Sequence, residues 1–424
     1  MLIEFRVKNF RSFRDDAVLS LVASNDRTNE EGTVKPTGIS SVPRLLRAAA
    51  IYGANAGGKS NLVQAITAFS DIVETSATHK PGTLFGIQPF RLNEESKIEP
   101  TEFEITFLLE GVRYQFGLRL SSNRILDEWL IVYRSTQPAT WYERTFDPNA
   151  KKSLYKFSSH LAGPKVVWGD ATREDALFLS TAVQLNSEQL RPIFDFLTLK
   201  IVTVEDVGNF PTEFTISKIL DTNSNAVRDL LVAADISIAE IRLEKHESRG
   251  HLAFDFDKQG NLVARKSEDE VRTTYVPTFE HRTGNGSAIF HMADESEGTR
   301  KLFALAGPLF SILENGNILV VDELDRSLHA LLVRQIVEMF QNPEFNPNGA
   351  QIIFTTHDTS LLNGDLLRRD QIWLADKDED QASHLIPLSD FSPRKGEALE
   401  RNYLAGRYGG VPILRTPHHA TARK

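Results

Sequence analysis

The sequence contains no cysteine. Disulfides and thiolate metal sites are therefore excluded, and the composition suits a reducing compartment such as the cytoplasm. No apolar run approaches the length of about 20 residues that spans a bilayer, and the first residues do not have the layout of a signal peptide. The net charge of −9 argues against a protein that coats nucleic acid with its whole surface. The remaining composition, 41% hydrophobic and 25% charged, is that of an ordinary globular protein.

A glycine-rich stretch at residues 53–60 is the most specific feature present. It reads Gly-Ala-Asn-Ala-Gly-Gly-Lys-Ser and fits G-x-x-x-x-G-K-[ST], the pattern of a phosphate-binding P-loop. Gly57 and Gly58 lack a Cβ atom, so the backbone can curl until several N–H groups point at one phosphate chain. Lys59 supplies a charge for the β- and γ-phosphates, and Ser60 supplies a hydroxyl for Mg²⁺. The nucleotide-binding candidates here are Asn55, Gly57, Gly58, Lys59, Ser60 and Asn61.

The segments on either side of the loop predict the strand and the helix that a P-loop requires. Residues 47–52 are a short, mostly apolar run suited to a buried strand. After the loop, apolar residues recur at steps of three and four, which predicts an amphipathic helix. A strand–loop–helix order places a helix N-terminus, with its partial positive charge, beside the phosphates. The apolar residues of the predicted helix are Leu62, Ile66, Phe69 and Val73.

Two carboxylates follow an apolar strand far downstream of the loop. Residues 318–321 are Ile-Leu-Val-Val, which is typical of a buried parallel strand, and Asp322 and Glu323 come directly after it. Asp322 is placed to hold Mg²⁺ opposite Ser60, and Glu323 is placed to polarise the attacking water. A strand that ends in a solvated acidic turn gives the same pattern, but the P-loop upstream favours the catalytic interpretation.

A histidine follows the next predicted strand. Residues 352–356 form an apolar run that ends in Thr-Thr, and His357 comes next. At this position the His357 ring is suited to hydrogen-bond the γ-phosphate and to hold the water. A lone histidine is more often structural, but its place between a strand and a turn favours the catalytic role.

A helix start lies upstream of the two carboxylates. Residues 294–299 read Asp-Glu-Ser-Glu-Gly-Thr, and Ser296 and Gly298 offer a hydroxyl and bare N–H groups that suit an anion. By itself the pattern favours a simpler interpretation, in which Ser296 caps the helix. Gly307 and Pro308 fall inside the same helix and predict a kink or a break.

The chain between Lys59 and Asp322 is far longer than a minimal ATPase core requires, and it has no sustained heptads that would predict a coiled coil. Apolar and polar residues alternate around a Glu110–Gly111 turn, which is typical of a β-hairpin, and later segments are mainly helical. We therefore divide the chain into an N-terminal half of an ATPase head at 1–99, an inserted β-hairpin and helical lobe at 100–245, and a C-terminal half of the head at 246–424.

Two polar stretches favour structural interpretations. Residues 26–43 are rich in glycine, serine, threonine, proline and charge, which predicts a surface loop. Residues 376–380 read Asp-Lys-Asp-Glu-Asp and imitate the paired carboxylates of a metal-dependent nuclease. Too few residues follow them for a nuclease domain of typical size, so a solvated turn between two strands is the better interpretation.

The order of these motifs resembles the ABC-type ATPase heads of the SMC and RecF kind. It runs from the P-loop through Ser-x-Gly at a helix start to Asp-Glu after an apolar strand, then Leu-Asp-x-Ser-Leu-His and Thr-Thr-His-Asp. More closely, the chain is similar to a bacterial group of stand-alone AAA/ABC-like ATPases found in phage-defence operons. Further stretches that match this group are residues 9–13, 88–92, 294–299, 369–373 and 406–412.

In such heads the nucleotide lies between two subunits. The resemblance implies that Ser296 and Gly298 of one protomer meet the γ-phosphate held by Lys59 of the other. It also implies that Gln88 senses Mg²⁺ and the attacking water. Where the family usually has a glycine this chain has Glu297, and a carboxylate near a phosphate is unfavourable unless it points away. The resemblance further places two residues of the first matching stretch near the nucleotide, Arg11 and Ser12.

The expected fold is α/β, a P-loop ABC-type ATPase head with a mixed sheet core and an inserted β-rich and helical lobe. The resemblance implies an ATPase that uses ATP and Mg²⁺ and works as a homodimer or higher homo-oligomer through the ATP sandwich. It further implies a cytoplasmic sensor or regulator of antiphage defence that controls a separate effector of the TOPRIM-like nuclease kind.

Two alternatives remain open. One is a DNA-repair ATPase of the RecF kind, for which DNA-dependent ATP turnover that falls steeply with salt is the distinguishing observation. The other is a scaffold that binds ATP only to assemble, and Glu297 in the signature favours it. Nucleic acid is a partner in the first alternative, and a membrane partner is expected in neither.

Overall fold

The computed structural model of the chain describes residues 1–134, 137–205, 210–222, 225–234, 237–256, 262–326, 328–393 and 396–411. Ser327 and Pro412, which belong to motifs of the resemblance, lie outside the described residues. Helices and strands both contribute substantially, so the predicted α/β class is confirmed. The chain divides into two compact units. The first comprises Met1–Asp206, Ile312–Arg326 and Val333–Lys424, and the second comprises Val207–Ser311 and Ser327–Leu332.

The elements are numbered in chain order. The strands are β1 (Leu2–Lys8), β2 (Ala17–Ser20), β3 (Val34–Ile39), β4 (Val42–Leu46), β5 (Ala48–Gly53), β6 (Thr101–Leu109), β7 (Val112–Leu120), β8 (Ile125–Tyr133), β9 (Ala139–Asp147), β10 (Lys152–Phe157), β11 (Ile201–Val204), β12 (Ile238–Phe256), β13 (Leu262–Thr283), β14 (Gly286–His291), β15 (Ile318–Val321), β16 (Gln351–Thr355), β17 (Ile372–Lys377) and β18 (Ser383–Pro387). The α-helices are α1 (Glu30–Thr33), α2 (Lys59–Thr75), α3 (Lys165–Ala171), α4 (Phe178–Gln184), α5 (Arg191–Asp195), α6 (Thr212–Thr222), α7 (Ala226–Ala233), α8 (Glu297–Asn315), α9 (Ala330–Gln341) and α10 (Leu399–Leu404). Within the described ranges, no helix has both the length and the apolar character that crossing a membrane requires.

A six-stranded sheet in the first unit carries the glycine-rich loop. Its order is β11-β15-β16-β5-β17-β18, and all neighbours are parallel except β17 and β18. Every residue of β5, β15 and β16 is buried, as expected for apolar strands covered on both faces. The strands predicted at 47–52, 318–321 and 352–356 are therefore confirmed.

A seven-stranded antiparallel sheet lies in the same unit, in the order β10-β9-β8-β7-β6-β1-β2. The predicted hairpin forms between β6 and β7. Burial alternates along β6, so that Phe103, Ile105 and Phe107 face the core. Because β6 also pairs with β1, the hairpin and the first strand of the chain share one sheet. The division of the chain at residues 99 and 245 stays a prediction.

The helix after the loop packs its apolar stripe into this unit. The ring of Phe69 in α2 contacts the rings of Phe103 and Phe116, with centroid separations of 6.2 and 6.0 Å. The predicted helix is therefore confirmed. All four residues of its predicted stripe are buried, namely Leu62, Ile66, Phe69 and Val73.

The two polar stretches have different outcomes. Residues 26–43 were expected to form a loop, and this is wrong, because α1 and the β3–β4 hairpin begin there. Val34 and Val42 lie among the polar residues and are buried in that hairpin. The turn predicted at 376–380 is confirmed, since it connects β17 and β18. Arg14 supports it by donating to Asp380 at 2.8 Å.

The second unit combines α6, α7 and the first part of α8 with an antiparallel sheet in the order β12-β13-β14. All six residues of β14, its edge strand, are exposed. α8 continues through Pro308, so the predicted break does not occur. Pro308 has no N–H for the Ala304 carbonyl, and Thr215 Oγ1 approaches that carbonyl at 3.3 Å. The same hydroxyl donates to Phe303 O at 2.7 Å and accepts from the Gly307 N–H at 2.9 Å. A Cβ on Gly307 would lie 2.5 Å from Thr215 Cα, so glycine permits this approach.

A fully buried carboxylate joins the seven-stranded sheet to α4. Glu128 in β8 accepts from the Tyr142 hydroxyl at 2.8 Å. It also accepts from the N–H groups of Phe178 and Leu179 at 2.6 and 2.9 Å. Burial raises the pKa of Glu128, and the positive charge of Arg144, 3.8 Å away in β9, opposes that rise.

Replacing Arg144 with methionine is expected to lower the free energy of unfolding by about 3–5 kcal/mol, because Glu128 remains buried without a counter-charge. Urea denaturation followed by tryptophan fluorescence measures the loss. Lys156→Met is the matched control, since Lys156 pairs with Glu143 at an exposed position of the same sheet and exposed pairs contribute little. Equal stability of the two variants would contradict this account.

Candidate nucleotide-binding site

Three parallel strands end side by side at one edge of the six-stranded sheet. β16 lies between β5 and β15 and pairs in parallel with both. The phosphate-binding loop follows β5, Asp322 and Glu323 follow β15, and His357 comes after β16. In α/β sheets the carboxyl ends of parallel strands are where ligands bind. The predicted nucleotide-binding loop and the predicted catalytic residues therefore share this edge.

The loop backbone runs too close to its neighbours to carry side chains at its paired glycines. A Cβ on Gly57 would lie 2.7 Å from the carbonyl oxygen of Ala375 in β17. Gly58 has a φ of +113°, and a Cβ there would lie 2.4 Å from Oγ of Ser383 in β18. The same hydroxyl donates to the Gly57 carbonyl at 2.8 Å and fixes the loop. Packing alone therefore requires glycine at these two positions, and the approach of a phosphate to them stays a prediction.

Lys59 is the first residue of α2, and it is buried. Its Nζ donates to the carbonyl oxygens of Gly53 at 2.9 Å and Ala54 at 3.3 Å. Burial lowers the pKa of Lys59, while the negative charges of three nearby carboxylates oppose that change. The ammonium is thus in electrostatic range of the residues that follow β15. The three carboxylates belong to Asp322, Glu323 and Asp325.

Ser60 and Asp322 line the same cavity, which has a volume of about 590 Å³. Arg11 and Arg326 line it as well. A hydroxyl and a carboxylate are oxygen ligands of the kind that Mg²⁺ takes, and arginine suits phosphate oxygens. Mg²⁺ commonly binds through one or two protein oxygens together with the phosphates of its substrate. The residues present therefore fit Mg·ATP.

Thr355, the last residue of β16, fixes both acidic residues after β15. Its Oγ1 donates to Asp322 Oδ1 at 2.6 Å and accepts from the Glu323 N–H at 2.7 Å. Glu323 has a φ of +50°, a left-handed conformation that costs free energy and is concentrated at functional sites. The motifs contain Thr355 and Arg326, but sequence reasoning gave neither a role. The partners of Thr355 and the other residues that line the cavity with Arg326 are distant in the chain. A hydroxyl at the end of the strand after the carboxylates was the available signal.

The turn between β1 and β2 brings Arg11 and Ser12 to the start of α2. Asn61 Nδ2 donates to Ser12 Oγ at 2.6 Å, and the Ser12 carbonyl accepts from the Ser383 N–H at 2.7 Å. The Arg11 N–H donates to the Gln88 carbonyl at 2.7 Å. Gln88 itself is exposed, and this backbone contact connects it to the site.

Asn55 and His357 occupy exposed positions. Asn55 lies within the loop, between its first glycine and its paired glycines. The His357 N–H donates to Asp325 Oδ2 at 3.2 Å, so the turn after β16 is anchored to the turn after β15. Contacts of these two side chains with a nucleotide stay predictions.

The other predicted anion site begins α8, in the second unit. Ser296 Oγ accepts from the Thr299 N–H at 3.1 Å, which is the helix cap that the pattern by itself favours. A Cβ on Gly298 would meet only Ser296 Oγ, at 3.9 Å, so packing within the unit does not require this glycine. The Glu297 carboxylate lies 3.1 Å from Nζ of Lys301, one turn along the helix. The negative charge at this helix start is therefore paired, and the role of Ser296 and Gly298 with nucleotide stays a prediction.

Comparison with known proteins gives a family match and, among solved structures, distant likenesses that include two SMC head domains. The family model described as "AAA domain, putative AbiEii toxin, Type IV TA system" matches residues 48–168 and 208–363. Among curated proteins, none matches this chain. The structure titled "SMC head domain from Thermotoga maritima" is 13% identical with a TM-score of 0.40, and the match covers 91% of this chain and 98% of that chain. The structure titled "Crystal structure of the SmcHead bound to the C-winged helix domain of ScpA" is 13% identical with a TM-score of 0.42, and the match covers 92% and 99%.

The two structural likenesses are too distant to assign a role to any residue. The family model is different, because it matches more than half of the sequence. Its two segments include the phosphate-binding loop, the carboxylates after β15 and His357. The chain therefore belongs to the AAA-domain family described as "AAA domain, putative AbiEii toxin, Type IV TA system".

Proposed function

We propose that this protein binds Mg·ATP at the edge of its six-stranded sheet, hydrolyses it, and uses this cycle to control a separate effector protein. One observation carries the proposal. Ser60 and Asp322, from motifs far apart in the chain, line a single cavity, and Lys59 lies in electrostatic range of Asp322 and Glu323. Membership in a family of AAA domains supports the same chemistry.

Binding is assigned to the loop and its immediate neighbours. The loop N–H groups and Lys59 hold the phosphates, and Arg11 adds positive charge to the same cavity. Lys59 exchanges its hydrogen bonds to loop carbonyls for bonds to phosphate oxygens. Ser60 and Asp322 are the residues that hold Mg²⁺, which neutralises phosphate charge when bound.

Hydrolysis is assigned to Glu323 and His357. Glu323 accepts a proton from the attacking water, and Thr355 fixes its backbone for this task. His357 hydrogen-bonds the γ-phosphate from the neighbouring strand end, in a turn that Asp325 anchors. Because the two residues follow adjacent parallel strands, both approach the same end of the triphosphate.

The closed state is proposed to be a dimer in which Ser296 and Gly298 of one protomer contact the γ-phosphate bound by the other. The open space beside Gly298 favours the approach of a phosphate to its N–H, and a helix N-terminus favours an anion. Glu297 is the unfavourable group in this arrangement. Its pairing with Lys301 offsets that cost.

The biological role we propose is that of a sensor or regulator in antiphage defence, with an effector of the TOPRIM-like nuclease kind. The family description refers to a toxin and to a TA system, which supports a partnered function. The second unit provides a surface for a partner, because β14 is an exposed edge strand without charged side chains or proline. Such an edge pairs readily with another chain.

Replacing Lys59 with alanine is expected to weaken Mg·ATP binding by at least about 100-fold, because charge-assisted hydrogen bonds to the phosphates are lost. Titration with a fluorescent ATP analogue measures the Kd. Lys97→Ala is the control, since Lys97 is an exposed lysine paired with Glu94 on the surface, and it should bind as the wild type does. Equal affinity of Lys59→Ala and the wild type would remove the loop from the nucleotide site.

Replacing Glu323 with glutamine keeps the size of the side chain and removes its basicity. Phosphate release should fall by about 10²–10⁴-fold, while ATP binding is retained. The bound ATP should hold the dimer closed, which light scattering detects as a doubled mass. Adding Ser296→Glu to this variant should abolish the dimer but not the binding, because the new carboxylate repels the phosphate. An unchanged rate in Glu323→Gln would exclude Glu323 as the base.

The product of the neighbouring gene is the candidate effector. We expect the amount that co-purifies with this protein to depend on nucleotide. Glu323→Gln should co-purify with it as the ATP-bound wild type does, and Lys59→Ala as the nucleotide-free wild type does. If the association is the same with and without ATP in the wild type and in both variants, regulation by the ATP cycle is contradicted. DNA-dependent ATP turnover without any partner protein would favour the RecF-like alternative, and bound ATP without phosphate release would favour the scaffold.

A further inference from the structure

The last described segment of the chain, residues 396–411, packs against the first glycine of the phosphate-binding loop. A Cβ on Gly410 would lie 3.5 Å from the Cα of Gly53. The Gly410 N–H donates at 2.9 Å to Oδ2 of Asp376, near the end of β17. Because β17 is the neighbour of β5, the segment is fastened to two adjacent strand ends beneath the loop.

Tyr403 in α10 joins this segment to the loop. Its buried ring packs edge-on against the ring of Tyr52, with centroids 5.7 Å apart. Its hydroxyl donates to the Gly410 carbonyl at 3.0 Å. Burial raises the pKa of Tyr403. One phenol therefore contacts the strand that leads into the loop, through Tyr52, and the end of the segment, through Gly410, which itself packs on Gly53.

Gly53 is also the residue to which Lys59 is anchored. Lys59 Nζ donates to the Gly53 carbonyl at 2.9 Å. A Cβ on Gly53 would lie 2.3 Å from the Ala375 carbonyl, so the backbone here fits tightly against β17. A contact that fixes Gly53 therefore also fixes the Lys59 ammonium. In the proposed function this ammonium binds the phosphates. Binding constellations tolerate displacements of only about 0.5 Å.

The Tyr52 and Tyr403 pair also contacts the turn that carries His357, through the Tyr52 hydroxyl. Tyr52, in β5, is fully buried, and its hydroxyl donates to the Asp358 carbonyl at 3.1 Å. Thr359 Oγ1 donates to Glu400 Oε1 at 2.8 Å, so α10 contacts this turn directly as well. α10 thus has contacts with the loop after β5 and with the turn after β16.

We propose that Tyr403 is a positioning residue for the nucleotide site, through which residues 396–411 hold the phosphate-binding loop in register with the His357 turn. The proposal rests on the proposed ATPase function and adds to it a residue that contacts neither phosphate nor metal. Loss of the hydroxyl releases Gly410, which packs on Gly53, and so loosens the start of the loop. The N–H groups and the ammonium of the loop then lose their common alignment, and binding weakens.

Tyr403→Phe tests the proposal, because it keeps the ring that packs on Tyr52 and removes only the hydroxyl. The Kd for a fluorescent ATP analogue with Mg²⁺ should rise by about tenfold, as expected for the loss of one buried hydrogen bond. A second measurement needs no ligand. In the nucleotide-free protein, hydrogen exchange of the amides at residues 53–60 should become faster.

Tyr408→Phe is the matched control. Tyr408 is also buried, in the same segment, and its hydroxyl donates to Glu397 Oε1 at 3.1 Å rather than to the loop. We expect this variant to keep the wild-type Kd and the wild-type exchange at 53–60. We expect the same Kd and exchange even if the midpoint of thermal unfolding of Tyr408→Phe falls as far as that of Tyr403→Phe. A general loss of stability, without loss of the Tyr403 hydroxyl, is not expected to change the order of the loop.

Two results would overturn the positioning role. One is wild-type exchange at residues 53–60 in Tyr403→Phe, and the other is equally faster exchange in both variants. If the proposed ATPase function is itself wrong, the results differ from both of these. In that case the wild type binds no ATP, and the exchange measurement still decides whether Tyr403 orders the loop.

Discussion

The path of the phosphate-binding loop is confined by the strands next to it, and the other features of the site depend on that confinement. The Ala375 carbonyl and the Ser383 hydroxyl occupy the space that side chains on the loop glycines would need. The loop therefore follows one course from the end of β5 to the N-terminus of α2. Lys59 and Ser60 begin that helix, so their positions follow from the course of the loop.

The order of the strands determines which groups face the loop. β16 separates β5 from β15, and Thr355 at its end bonds to Asp322 and Glu323. One hydroxyl thereby holds the acidic residues at the edge that the loop also occupies. The start of α8 belongs to the other unit, and in the proposed sandwich it reaches the triphosphate from a second protomer.

Features that are encoded locally could be predicted from the sequence. β5, β15 and β16 are continuous apolar runs, and α2 has a regular stripe, so each element follows from its own residues. The prediction of a loop at residues 26–43 was wrong because it rested on the polar composition of that stretch. Val34 and Val42 lie within it and are buried by the pairing of β3 with β4. Tyr403 had no local signal, and Thr355 had only its position at the end of an apolar strand. Their partners lie on other strands or at the opposite end of the chain, and one sequence does not record such contacts.

The hydrogen bonds of Lys59 to its own loop have an energetic consequence. Its buried ammonium has two carbonyl acceptors, so this charge is hydrogen-bonded within the loop itself. In the proposed function a triphosphate replaces these acceptors, so the net gain in binding free energy is smaller than the new contacts alone suggest.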